Sequence, residues 1–205
     1  MKESNYPIKK VIDNKEKGLS FRENFNRYNK AKASEFYLEC LWILYAMLED
    51  RTSAFLYYLG FTDTKKRESV IDNAEIKTQV RQIFNMTKPQ ARYNFDSMKG
   101  KLSRIKEVLD WSSSANQTTE YQQALKKAMN NFLTNQEFMH SLEYLNDEWR
   151  DKRNQLTHSL FTKTPEVVVS ELKPLVEKGY VAARVFDKAV SVLKKEKIRE
   201  RFNLK

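Results

Sequence analysis

Apolar residues recur every three or four positions along most of this chain, a spacing that predicts amphipathic α-helices. The clearest stripe begins after Ser34 and ends before Gly60, a residue suited to a helix C-cap. Ser20 and Glu23 form a capping box, which predicts an earlier, shorter helix over residues 21–32. The members of the clear stripe are Phe36, Cys40, Ile43, Met47, Ala54 and Tyr58.

The next part of the chain has the same periodicity between a few helix breakers. Asp63 and Thr64 predict the start of a helical region that reaches about Met86, and Pro89 marks the boundary after it. A further stripe then continues past Gly100 and predicts a helix in spite of that glycine. Its members are Phe95, Met98, Leu102, Ile105 and Leu109.

Residues 112–119 contain no large apolar side chain, so they predict a solvated loop near the middle of the chain. Beyond it, a stripe from Tyr121 to Phe132 predicts one helix. Thr134 with Glu137 predicts the start of another, which extends to about residue 161. Thr164 and Pro165 predict a helix start, and Pro174 predicts a break or kink before a last helix over residues 175–201.

These segments amount to six or seven helices joined mostly by short connections, so we predict an all-α antiparallel helical bundle. We divide the chain into an N-terminal extension with a short helix (1–33), the bundle (34–195) and a basic C-terminal tail (196–205). The 205 residues include only four glycines and four prolines. That scarcity excludes folds and phosphate loops that depend on frequent glycine.

Charge favours an anionic partner. Lys and Arg number 37 against 27 Asp and Glu, a net charge of +10, and we place nucleic acid ahead of membrane as the partner. The excess lies in residues 81–106 and 188–205. The first of these segments also holds aromatic residues, which suit single-stranded RNA because bases stack on them. Its candidate RNA-binding residues are Arg92, Tyr93, Lys99, Lys101 and Arg104.

A solvated face with core aromatics is the alternative for that segment. Phe95 lies on the apolar stripe, so we expect it in the core, while for Tyr93 both interpretations stay open.

Cysteine and histidine are too scarce for several kinds of chemistry. Cys40 is the single cysteine, so it forms neither an intramolecular disulfide nor a cysteine zinc site, and its apolar surroundings predict burial. His140 and His158 are the two histidines. We therefore predict no metal site and no cofactor. Residues 1–20 lack a continuous apolar segment, and no stretch is long enough for a membrane span, so we expect a cytoplasmic protein.

Two acidic residues occupy positions where the core is expected. Asp50 lies on the stripe between Met47 and Ala54, and Glu39, eleven residues earlier, falls on nearly the same face. A carboxylate there needs a partner. Two hypotheses remain open, namely a salt bridge to a basic side chain of another helix, or an acid that positions a catalytic arginine or histidine.

A third misplaced charge accompanies a histidine. Arg153 follows Trp149 by four residues and precedes Leu156 by three, so it interrupts the apolar face of its helix. Asn154 and His158 are neighbours one turn apart beside it. A guanidinium that matches phosphate and an imidazole that titrates near neutrality are a minimal set for phosphodiester chemistry without a metal.

The arrangement of Arg153, Asn154 and His158 late in a long helix resembles the R-x4-6-H signature of the HEPN superfamily. The resemblance covers residues 34–195 and implies a metal-independent endoribonuclease or an inactive relative, in toxin or defence systems. It makes Arg153 the phosphate clamp, His158 the general acid or base, and Asn154 a positioning residue.

The same resemblance implies attack by the RNA 2′-hydroxyl on the adjacent phosphate, which leaves a 2′,3′-cyclic phosphate and a 5′-hydroxyl. It also implies a homodimer with the signature at its interface and a possible antitoxin or regulatory protein. Some HEPN toxins carry a tyrosine two residues after the histidine, but this chain has Leu160, so regulation through that tyrosine is not expected.

Two other functions compete with the ribonuclease hypothesis. One is a catalytically inactive HEPN-like module that binds RNA or a protein. The other is a helical DNA-binding regulator, for which the sequence contains no recognisable helix-turn-helix.

Overall fold

The computed structural model describes residues 14–63, 71, 73–85, 95–114, 119–160 and 162–204. Within those ranges the chain is an all-α bundle without a strand, as predicted. Its helices are α1 (Asn14–Ala33), α2 (Tyr37–Tyr58), α3 (Ala74–Ile83), α4 (Met98–Ser114), α5 (Glu120–Leu133), α6 (Gln136–Tyr144), α7 (Arg150–Ser159), α8 (Pro165–Glu196) and α9 (Ile198–Arg201).

The core is centred on α2 and α8, the two longest helices, which pack along each other. Phe55 of α2 meets rings from three other helices, and its centroid lies 5.3 Å from that of Phe132 and 5.7 Å from that of Phe138. Phe186 of α8 lies 5.2 Å from Phe138 and closes this cluster. Aromatic rings at these separations bury large apolar areas and hold α5, α6 and α8 around α2.

Residues 14–33 form a helix of 20 residues rather than the shorter one predicted from Ser20. Ser20 lies inside α1, where its backbone neighbours are already within the helix, so the predicted capping box is wrong. Tyr28 is buried and stacks on Tyr180 of α8, with centroids 4.9 Å apart. The N-terminal helix therefore packs on the bundle across the predicted boundary at residue 33.

Gly60 ends α2, as the sequence predicts, and the structure shows two reasons for glycine there. Its φ is +88°, and the amide N–H groups of Gly60 and Phe61 donate to Tyr57 and Leu56 in a Schellman pattern. A Cβ atom at this position would also overlap a methyl group of Leu204. The C-terminal residues thus pack directly against the end of α2.

The basic C-terminal segment is anchored by Arg199. Its guanidinium donates to the carbonyl oxygens of Tyr57 at 3.2 Å and Thr62 at 2.7 Å, and lies 4.1 Å from the Tyr57 ring. Burial lowers the pKa of Arg199. Ile198 and Leu204 are buried as well. Arg199 therefore stabilises the fold, and packing crosses the predicted boundary at residue 195.

Several predicted helix ends were wrong. Asn73, not Asp63, caps α3, because its side chain accepts from the amides of Glu75 and Ile76. Asn135 rather than Thr134 caps α6. The helix through Gly100 is confirmed, but α4 extends to Ser114, so residues 112–114 are helical rather than a loop. Thr64, Met86, Pro89 and residues 115–118 lie outside the described residues.

Pro174 does not break the helix, because α8 continues through it from Pro165 to Glu196. Thr164 and Pro165 begin the helix as predicted. Leu172 is buried before the proline, and Leu175 and Val176 are buried after it. Both sides of α8 are held by the same core, and that burial outweighs the roughly 3 kcal/mol cost of an interior proline.

Candidate functional site

The signature residues lie on α7, which is fixed against α8 by a buried tryptophan. Trp149 precedes α7, and its indole Nε1 donates to the carbonyl oxygen of Leu175 at 3.0 Å. A Cβ atom at Gly179 would lie 2.6 Å from that Nε1, so only glycine allows this approach. Leu156, further along α7, is buried as well. The helix that carries Arg153 and His158 is therefore held against the bundle at Trp149 and at Leu156.

A π-helical segment, Leu145–Trp149, joins α6 to α7. A π turn holds one residue more than an α turn, so the residues after it take a different register from those of an uninterrupted helix. Spacing does not predict this segment, because Phe138, Leu142, Leu145 and Trp149 fit an ordinary helical stripe. The orientation of α7 relative to α6 thus depends on a feature that periodicity alone does not reveal.

Arg153 is half-buried at the edge of the core, as its position in the stripe suggests. Its guanidinium carbon lies 4.0 Å from the centre of the Tyr45 ring of α2. Its Nε atom is buried without a hydrogen-bond partner, and no carboxylate pairs with Arg153 within the described residues. A permanently charged group that is partly desolvated and unpaired is well suited to bind an anion.

Arg150 extends this cationic surface by one turn. Its Nε donates to Asp151 at 2.9 Å, while its Nη1 atom is buried without a hydrogen bond. Arg150 and Arg153 are three residues apart and therefore neighbours on the helix surface. The hydrogen bond from Arg150 lowers the pKa of the Asp151 carboxyl. Lys99, which is exposed in the first turn of α4, lies near enough to Asp151 to lower that pKa further.

Asn154 and His158 are exposed on α7, and neither has a hydrogen-bond partner among the side chains that the structure describes. Five residues separate Arg153 from His158, which in an α-helix is about 140° around the axis and about 7.5 Å along it. The imidazole and the guanidinium therefore leave α7 on different sides. Among the described residues no contact joins the two groups.

Tyr45 is a site residue that the sequence analysis missed. It lies beside the stripe of α2 and is partly buried against the core. An aromatic residue at the edge of an apolar stripe is ordinarily part of the core, so its ring under Arg153 was not predictable from spacing. The pairing depends on how α2 and α7 meet in the folded chain.

Asp50 and Glu39 do not join Arg153 or His158. Asp50 accepts hydrogen bonds from its neighbour Arg51, which also donates to Asp187 of α8 at 3.1 Å. Arg51 thus connects α2 to α8, and a structural role fits Asp50 better than positioning of a catalytic group. Glu39 is exposed and lies 3.9 Å from Arg27 of α1. The predicted supporting role of both acids finds no contact in the structure.

The predicted RNA-binding segment is only partly a surface. Lys101 is 2% exposed, and its Nζ donates to Glu49 at 3.0 Å, so it is a buried partner and does not face solvent. Arg104 pairs with Glu107 and lies 5.5 Å from the Phe84 ring. Phe95 is buried, as expected. Lys99 is exposed, while Arg92 and Tyr93 lie outside the described residues.

Other candidate groups are not near α7. Cys40 is buried, as predicted, and burial raises the pKa of its thiol. His140 is exposed on α6. Across the described ranges, no three His, Cys, Asp or Glu side chains converge as a metal site would require. The same part of the chain has no helix with the length and apolar character of a membrane span.

No family model, no curated protein and no solved structure matches this chain. The resemblance to the HEPN superfamily therefore stays a prediction based on Arg153, Asn154, His158 and an all-helical fold.

Proposed function

We propose that this protein is an endoribonuclease of the HEPN type, which cleaves RNA through attack by the substrate's own 2′-hydroxyl. The observation that carries the proposal is Arg153, a half-buried guanidinium without a carboxylate partner among the described residues, held on the Tyr45 ring. A phosphodiester presents two nonbridging oxygens that match such a fork. His158, five residues later, supplies an imidazole that can accept or donate a proton.

The reaction follows from these groups. Arg153 binds the nonbridging oxygens of one phosphate and stabilises the charge that grows on them. A neutral imidazole of His158 accepts the 2′-hydroxyl proton while the 2′-oxygen forms a bond to phosphorus. The bond from phosphorus to the 5′-oxygen then breaks, and the protonated imidazole of His158 gives the proton it took from the 2′-hydroxyl to that oxygen. The products are a 2′,3′-cyclic phosphate and a 5′-hydroxyl. Asn154, one turn before His158, positions the substrate.

We propose that the active form is a homodimer, because Arg153 and His158 leave α7 in different directions. A two-fold axis beside α7 lets one copy supply the guanidinium and the other the imidazole of each site. Trp42, three residues before Tyr45 on α2, is 53% exposed and offers an apolar anchor on the helix that carries Tyr45.

Mixing inactive variants tests this dimer. Arg153→Ala and His158→Ala proteins, each inactive alone, should recover cleavage when they are mixed and allowed to exchange subunits, because mixed dimers contain one intact site. Trp42→Glu should sediment as a monomer and lose activity. A wild-type protein that sediments as a monomer while it cleaves RNA would contradict the dimer.

The ribonuclease itself is tested with total RNA in EDTA. His158→Ala should lower the cleavage rate by roughly 10² to 10⁴, the range of general acid–base catalysis, without a change in melting temperature. His140→Ala is the matched control, since His140 is the other exposed histidine and lies on α6. End-group chemistry should find cyclic phosphates. If His158→Ala cleaves as fast as the wild type, the assignment is wrong.

A noncatalytic RNA-binding or protein-binding module is the second candidate. One observation favours it, because His158 has no partner in the described part of the chain that would orient its imidazole, as general bases usually have. A purified protein that shifts RNA in a gel but never cuts it, with or without EDTA, supports this module. The ribonuclease would fit a toxin or phage-defence role in the cytoplasm, restrained by an antitoxin or other regulatory protein.

A further inference from the structure

A groove of about 600 Å³ lies between α6, α7 and α8, beside the signature but on another side of α7. Its apolar floor is formed by Leu156, Leu175 and Pro174. Gln155, Ser159 and Ser170 add polar groups along its walls. The volume lies within the range of small-ligand sites, roughly 300–1,000 Å³.

Three lysines rim this groove. Lys152 pairs with Glu148 at 2.8 Å, and Lys163 pairs with Glu171 at 2.7 Å. Lys178 makes no salt bridge in the part of the chain that the structure describes, and its ammonium lies 5.4 Å from the Tyr144 ring. The rim therefore keeps a positive charge next to an aromatic surface.

Tyr144 adds a hydrogen-bond donor to the groove. Burial, with a smaller effect of Glu148, raises the pKa of Tyr144 to about 12, so its hydroxyl keeps its proton at neutral pH. The hydroxyls of Ser159 and Ser170 donate to the carbonyl oxygens of Leu156 and Val167 in their own helices, so their oxygens face a ligand as acceptors. An amide and a phenol that can donate, together with these two acceptors, match the edge of a nucleobase. A purely apolar ligand, such as an acyl chain, would leave the amide of Gln155 and the hydroxyl of Tyr144 without partners.

The groove lies beside the proposed active site on the surface of α7, because Gln155 lines its wall. Gln155 and His158 are three residues apart, and Asn154 and His158 are four apart, so Gln155 and Asn154 are both neighbours of His158 on the helix surface. A nucleotide bound in the groove would therefore place the next phosphate of the RNA at the level of His158.

We propose that this groove binds one unpaired nucleotide of the RNA, next to the phosphate that is cleaved, with its base on the apolar floor and its phosphate near the lysines. The proposal rests on the ribonuclease function given above. It assigns base preference beside the cut to Gln155, Ser159, Ser170 and Tyr144, which the signature does not include.

Filling the groove tests the proposal. The probe is a short, fluorescein-labelled RNA of random sequence with 2′-fluoro sugars, which lack the nucleophile and stay intact. Ser170→Trp should weaken its binding roughly tenfold, the loss of one stacked base. Ser191→Trp is the matched control, because Ser191 is also an exposed serine of α8, roughly 31 Å further along the helix. Equal affinity of the two variants for this RNA would overturn the proposal that the groove binds a nucleotide.

A second variant tests the groove even if Ser170→Trp does not fold. Gln155→Ala removes one exposed side chain and should change which base precedes or follows the cut in sequenced products of total RNA, while the melting temperature stays the same. An unchanged base preference, together with equal binding of both tryptophan variants, rejects the groove but leaves the ribonuclease intact. If the wild type cuts no RNA but Ser170→Trp still weakens binding, the ribonuclease fails and the groove stands.

Discussion

Arg51 and Arg153 both lie on aromatic rings at the edge of the core, and they differ mainly in their acidic partners. The guanidinium carbon of Arg51 lies 4.2 Å from the Phe21 ring, and that of Arg153 lies 4.0 Å from the Tyr45 ring. Arg51 pairs with Asp50 and Asp187, whereas Arg153 pairs with no carboxylate among the described residues. Ring contact and partial burial thus do not distinguish a structural arginine from a functional one.

The difference shows which of the two guanidinium groups is neutralised by carboxylates. Around Arg51 two carboxylates neutralise the guanidinium and join α2 to α8. Around Arg153 the described residues provide a ring but no carboxylate, and a phosphate could supply the counter-charge. Arg153 is therefore the arginine of this pair that we propose binds an anionic substrate.

The largest expected effect separates the two arginines by activity. Arg153→Gln should lower RNA cleavage by roughly 10² to 10³, the loss of one preorganised donor group in the transition state, and leave the fold intact. Arg51→Gln, the matched control, should keep its cleavage rate but lose about 1.5–3 kcal/mol of unfolding free energy, because Asp50 and Asp187 lose charged hydrogen bonds. Cleavage rates and urea unfolding, measured for both variants, test these two expectations. The comparison is wrong if Arg51→Gln loses activity while its stability is unchanged.

The next effect concerns the buried pair of Glu49 and Lys101, which links α2 to α4. Glu49→Gln leaves the 2% exposed ammonium of Lys101 without its counter-charge and should cost about 3 kcal/mol. Lys101→Met replaces the ammonium by an apolar group of similar length and should change stability little. Urea unfolding followed by circular dichroism gives both values. A larger loss in Lys101→Met than in Glu49→Gln would show that the pair itself stabilises the bundle.

The smallest expected effect is on the salt dependence of RNA binding. It compares an exposed lysine with a buried one, both in residues 81–106. Lys99→Gln should reduce the slope of log K against log salt for single-stranded RNA by about 0.7, one neutralised phosphate. Lys101→Met should leave that slope unchanged, because its ammonium does not reach solvent. Fluorescence anisotropy over a salt series measures both. Equal slopes for Lys99→Gln and the wild type would mean that Lys99 does not touch RNA.

The helical architecture was predictable because a single stripe of apolar residues is a local property of each segment. The helix over α2, its end at Gly60, the start at Pro165 and the burial of Cys40 all follow from spacing or from one residue type. Helix starts marked by Ser, Thr or Asp were less predictable. Several such residues occur near each boundary, and the structure uses Asn73 and Asn135.

The candidate site was predictable in part. Arg153 stood out because it interrupts an apolar face, and it does lie at the edge of the core. Asp50 stood out for the same reason, yet it pairs with the adjacent Arg51. The apolar stripe identifies a charged residue at a position where the core is expected. It contains no information about the residue of the neighbouring helix that contacts this charge.

The sequence by itself determined the helices, their apolar faces and the position of Arg153, since these depend on residues only a few places apart. The tertiary structure alone decided which charges are neutralised. Arg51 meets Asp187 across 136 residues, and Lys101 meets Glu49 across 52. Electrostatic energy depends on separation in space and on burial, and both are fixed only when distant helices pack together. For that reason the unpaired state of Arg153, on which the proposed function rests, appears only in the folded chain.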